Sequence, residues 1–139
     1  MKVEFFNPNP NVKFFSSGKP KAWTYKDSSI RAICKALNKT WDEVYEGLTN
    51  LGKQEHNMPD AKEIVNLYLL LNNFSYNTLG KPKQNAKRMI LEDFVNIYNT
   101  GIYILYLRDY YIAVIDGIVY NTDNKDLDKQ AIYSYWKLS

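Results

Sequence analysis

Two side chains in the stretch DSSIRAICKALNKTWDEVYEGL, residues 27–48, could act as nucleophiles: Ser28 and Cys34. Cys34 is the only cysteine of the chain and His56 its only histidine. A nucleophile at a helix N-terminus gains from the helix dipole and from free backbone N–H groups that can hold an oxyanion. It also needs a base, supplied by an adjacent strand, and a third residue on the next strand to orient that base. Cys34 lies six residues beyond Ser28, so on a helix it faces about 240° around the axis and ~9 Å along it. It cannot share a site with Ser28 and reads as a small apolar residue. Ser28 has a structural role open to it as well, because serine at a helix start caps backbone N–H groups. His56 falls in the connection after the second expected helix, where it reads as a capping or packing residue. One cysteine and one histidine so placed make no metal site, and no cofactor is expected.

These residues need a framework, and the chain changes character once, near residue 100. Residues 1–26 read as an irregular arm, with Pro8, Pro10, Pro20 and a Ser16-Ser17-Gly18 turn signal. A single α+β domain is expected over 27–139. Its first helix begins at Asp27 or Ser28, with Ile30, Ile33, Ala36 and Leu37 as the apolar stripe. Thr40 and Glu43 form a T-x-x-E capping box for a second helix, whose inward face is Trp41, Val44, Tyr45 and Leu48. A third starts at Asp60, with Glu63 three residues on, and turns Ile64, Leu67, Tyr68 and Leu71 inward. Residues 77–88 read as a polar connection, followed by a short helix over Met89–Tyr98. Strands are expected over 102–107, 110–115, 118–120 and 131–136, with Asp116-Gly117 as a tight hairpin turn. Helices first and an antiparallel sheet second is an α+β order.

Several segments resemble, in order and spacing, a family of small papain-fold proteins encoded by phages and prophages. DSSIRA at 27–32 matches D-C-x-x-R-A, KTWDEVY at 39–45 matches K-x-W-x-E-V-Y, and HNMP stands at 56–59. YYIAVIDG at 110–117, YNTDN at 120–124 and YSYW at 133–136 complete the pattern. The resemblance, over residues 23–136, implies a reduced papain-like fold with N-terminal helices packed on the C-terminal sheet. It also implies that Ser28 stands where the family has its cysteine, Tyr110 where it has histidine, and Asn121 where it has Asp or Asn. A serine hydroxyl is hardly ionised at neutral pH, and a phenol with a pKa near ~10 is a poor base for it. The Trp of the family's Y-D-T-W-D is replaced by Asp123. The triad is dismantled, which implies an inactive pseudoenzyme.

What remains is surface. Lys81, Lys83, Lys87 and Arg88 cluster in the polar connection, and Lys13, Lys19, Lys21 and Lys26 enrich the arm. Such clusters could hold phosphates or an acidic protein face. Of the twelve tyrosines, seven fall in the expected sheet, and Tyr110 and Tyr111 are candidates for a binding face beside the lysines. The net charge of +3 is too small to mark a dedicated nucleic-acid binder. One cysteine, the absence of a signal-like N-terminal run and of any ~20-residue apolar span lead to an expected location in the bacterial cytoplasm, with no membrane partner. The expected function is stoichiometric binding of a host protein or ribonucleoprotein complex, including CRISPR or other anti-defence inhibition. The alternatives are a nucleic-acid-binding accessory protein and a residual hydrolase that uses Ser28.

Overall fold

The computed structural model describes residues 1–11, 16–17, 26–79, 87–121 and 127–139. Lys13, Lys19, Lys21, Lys81, Lys83 and Asp123 lie outside these residues. Four helices and six strands are present among the described residues, in a mixed α+β arrangement.

The first helix, α1 (Ser28–Leu37), begins where the apolar spacing placed it. Its side chains from Ser29 to Cys34 are all buried, so it is a core helix rather than a surface one. Asn38 in the left-handed conformation ends it (φ 54°), its N–H donating to the Cys34 carbonyl. The second, α2 (Trp41–Glu55), is opened by the expected capping box: Thr40 Oγ1 accepts from the Glu43 N–H at 3.2 Å and the Glu43 carboxylate accepts from the Thr40 N–H at 3.3 Å. His56 closes this helix in a left-handed conformation (φ 54°), its N–H donating to the Gly52 carbonyl. Val44 and Leu48 are buried as expected, whereas Tyr45 is exposed and stacks on Trp41 at 5.0 Å.

The third helix, α3 (Lys62–Leu71), starts two residues after Asp60, and no side chain caps it. The D-x-x-E pattern therefore does not form a box here, because Ala61 occupies the capping position. Ile64 and Tyr68 point inward with Val65 and Leu69, but Leu71 is 65% exposed in the final turn. The fourth, α4 (Leu91–Ile97), is shorter than the expected Met89–Tyr98, since Ile90 is held extended by a bridge to Ala131.

The sheet holds two strands that were not expected. β1 (Lys2–Phe5) lies in the arm read as irregular, and β2 (Phe74–Thr78) overlaps the supposed polar connection. Both are edge strands, only four and five residues long, and each is held by pairing with its neighbour in the sheet. β3 (Ile102–Leu107) and β4 (Tyr110–Ile115) match the expected bounds, and β5 (Ile118–Asn121) extends one residue further. Asp116 (φ 49°) and Gly117 (φ 79°) form the β4–β5 turn with two positive φ angles, the type I′ geometry that Asp-Gly favours. β6 (Ser134–Leu138) begins three residues later than expected. The order is β1-β5-β4-β3-β6-β2, antiparallel throughout except for the parallel β1–β5 pair. The sheet is thus mixed, a correction to the all-antiparallel expectation.

Both faces of its centre are covered. Ile104, Tyr111, Ala113 and Trp136 pack with α1, α2 and α3 on one side. Tyr103, Leu105, Ile112, Val114 and Val119 pack with α4, Leu127 and Ile132 on the other. Tyr111 is therefore core, and the expectation that it belongs to a binding face is corrected: alternation sends it toward the helices, where it is buried.

Candidate functional site

Residues 28, 110 and 121 are far apart in sequence, and the sheet brings them to one place. The start of α1 lies against β4, and the hairpin sets the end of β5 beside the start of β4. Ser28, Tyr110, Tyr111, Tyr120, Arg31 and Phe6 line a small hollow there. Ser28 is the first residue of α1, and its side chain does not cap the helix, which corrects that expectation. Its Oγ instead accepts a hydrogen bond from the Tyr111 N–H at 3.2 Å. Tyr110 donates its phenolic O–H to the Asn121 side-chain oxygen at 2.9 Å, and Asn121 is buried. The phenol thereby satisfies the buried amide oxygen that, in a layout of this kind, would orient an imidazole.

Among the described residues that line the hollow there is no imidazole, carboxylate or amine, and the cation present is the Arg31 guanidinium. Its volume is about 10 Å³, room for no more than one water. Phe6, just past β1, helps to fill it, with its N–H tied to the Asn121 carbonyl at 2.8 Å. Lys35 approaches the same wall, 4.3 Å from the Tyr120 ring centroid and 5.1 Å from that of Phe6.

Below Ser28, Asp27 and Arg31 form an ion pair one turn apart, at 7% and 3% exposure. The other carboxylate oxygen of Asp27 accepts from Trp41 Nε1 at 2.9 Å and from Asn9 Nδ2 at 3.0 Å. One buried carboxylate thus joins the N-terminal segment, α1 and α2. Sequence reading passed over it, although the i,i+4 spacing of Asp27 and Arg31 was a legible signal.

Cys34 is buried in the core, away from Ser28. Burial, reinforced by the carboxylates of Asp27 and Glu43, pushes its thiol up to about 12. The native thiol should resist alkylation at neutral pH and react only after unfolding, which a denaturant-dependent labelling curve would check. The Tyr111 phenol is also raised, by burial first and then by neighbouring phenols and carboxylates. Both groups keep their protons in the folded state to higher pH than in the unfolded one. Their contribution is complete below the unfolded values of 9.0 and 10.0 and is lost as pH rises toward the folded ones. Unfolding midpoints should therefore fall steadily above about pH 9, and Cys34→Ala should flatten the first part of that decline.

The basic cluster divides. Lys87 is exposed, Arg88 lies over the Tyr133 ring at 4.4 Å, and both border a cavity of about 560 Å³ with Met89, Asp93 and Ile97. A second hollow, about 360 Å³, lies between the stacked Trp41–Tyr45 pair and Met58-Pro59, floored by Ile30 and Leu48. Tyr110 is half-buried in the Ser28 hollow. Among the described residues no group of His, Cys, Asp and Glu could hold a metal, and no helix is long and apolar enough to cross a membrane. Compared with known protein families, with curated proteins and with solved structures, the chain matches none.

Proposed function

We propose that this chain is a non-catalytic binding protein on a reduced papain-like scaffold, acting by stoichiometric occlusion of a host protein or ribonucleoprotein complex. The observation that carries the first part is the Ser28–Tyr110–Asn121 cluster. Its three positions lie together, the hydroxyl of Ser28 accepts from a backbone N–H, and the phenol of Tyr110 donates to Asn121, which supports the reading. The hollow beside Ser28 encloses only about 10 Å³, which supports the same reading. The partner class, a bacterial defence assembly such as a CRISPR complex met by a phage-encoded protein, rests on the resemblance alone. The basic side chains Lys87 and Arg88, beside a cavity of about 560 Å³, suit an acidic face on that partner.

Capture of a partner from bacterial lysate, followed by titration, tests the reading. Ser28→Ala should retain binding undiminished, and inhibition should saturate at a fixed molar ratio. A product made by catalytic amounts of protein, and lost in Ser28→Ala, would show a hydrolase instead. Retention of nucleic acid alone, with affinity falling steeply as salt rises, would favour the accessory nucleic-acid-binding reading. Reversing charge at Lys87 and Arg88 should slow association with a protein partner and weaken its salt dependence.

A further inference from the structure

We propose that the outer edge of β1 is a self-pairing surface, on which a second copy of this chain docks antiparallel about a two-fold axis through Val3. β1 ends the six-stranded order, so among the described residues no strand pairs with its outer side. The N–H of Phe6 bonds inward to the Asn121 carbonyl. Backbone groups of successive strand residues alternate in direction, so Lys2 and Glu4 also point their N–H and C=O toward β5. Met1, Val3 and Phe5 then direct theirs outward. A ladder centred on Val3 uses that outward set: Val3 exchanges both bonds with its symmetry mate, and Met1 opposes Phe5 on either side.

Side chains agree with this register. Lys2 and Glu4 share one face, where they already approach to 3.2 Å within the chain and remain 67% and 43% exposed. Antiparallel pairing about Val3 places Lys2 opposite Glu4 of the second copy, and Glu4 opposite its Lys2. The four charges form an alternating ladder. Parallel in-register pairing would set lysine against lysine and glutamate against glutamate. On the opposite face Met1, Val3 and Phe5 are 48%, 49% and 60% exposed. The two-fold pairs Met1 with Phe5, Val3 with Val3 and Phe5 with Met1, covering all three. This is the isologous logic of a two-fold contact, in which one patch is its own complement. Five residues per copy make a small, transient interface, so association belongs to high protein concentration.

Sedimentation equilibrium of the full chain, from micromolar to millimolar, should show the mass rising from one chain toward two. Val3→Pro should hold the protein monomeric without lowering its melting temperature, because proline removes only an outward N–H and its fixed φ suits an edge strand. Lys2→Glu and Glu4→Lys should each be monomeric alone, since like charges then face each other, while their equimolar mixture should dimerise. These two exposed changes keep the test sound should Val3→Pro disturb the strand. A wild type that stays monomeric throughout would overturn the proposal. So would dimerisation unchanged in the charge variants, which would place the contact elsewhere.

Discussion

Asp27→Ala should destabilise the protein by about 3–5 kcal/mol, the cost of removing one member of a buried ion pair. Arg31 would be left at 3% exposure without the carboxylate beside it. Trp41 Nε1 and Asn9 Nδ2 would lose their shared acceptor, so α2 and the N-terminal segment would loosen together. Chemical unfolding at neutral pH measures the loss directly, and a fall of about 10–20 °C in melting temperature should accompany it. Asp27→Asn should lie between the two, since an amide keeps the acceptor for Trp41 but not the charge. The decisive comparison is the double variant Asp27→Leu with Arg31→Met. Replacing both ions by apolar groups of similar volume is often neutral or stabilising, so most of the loss should return. A loss below about 1 kcal/mol for Asp27→Ala would mean that water reaches Arg31 and that the pair behaves like a surface one.

Trp136→Ala should cost about 3–5 kcal/mol, as expected for truncating a fully buried aromatic side chain. Trp136 has no exposed surface and sits on β6 between β3 and β2, facing the three N-terminal helices. Its ring lies 5.1 Å from that of Tyr76 and 5.9 Å from that of Tyr111, and its indole N–H donates to Asn66 of α3 at 2.8 Å. The residue thus ties an edge strand, a central strand and a helix. Two further variants separate volume from polarity. Asn66→Ala removes the hydrogen bond and leaves the indole N–H buried without that acceptor, which should cost about 1–3 kcal/mol. Trp136→Phe should cost less than alanine, because it keeps most of the ring and leaves Asn66, itself half-buried, in reach of solvent. Equilibrium unfolding of the three variants would order them; equal losses for alanine and phenylalanine would sink the packing argument.

Both predictions concern the scaffold around the Ser28 cluster rather than the cluster itself, and this has a physical basis. The strong interactions near the start of α1 are structural: an ion pair, an indole N–H and an amide all converge on Asp27. At the Ser28 cluster, Tyr110 donates to Asn121, and Ser28 Oγ accepts from the Tyr111 N–H.

The sequence by itself determined the elements whose local chemistry is strong. The capping box at Thr40–Glu43, the apolar stripe of α1 and the Asp116-Gly117 hairpin all follow from residue types a few positions apart. The spacing also placed Cys34 away from Ser28, because helix geometry alone separates residues six apart. Tertiary structure decided what local rules cannot reach. β1 and β2 exist because a neighbouring strand offers them backbone partners, so short segments read as arm and connection became edges of the sheet. Alternation marked two faces of β3 and β4 without saying that helices cover both, which is why Tyr111 is core. Ser28, from its type and position, reads as a cap; only the approach of β4 turns its oxygen to the Tyr111 N–H. Hydrogen bonds between residues 83 and 11 positions apart built the cluster at Ser28, Tyr110 and Asn121, and such pairings depend on the packing of strands and helices that no local pattern encodes.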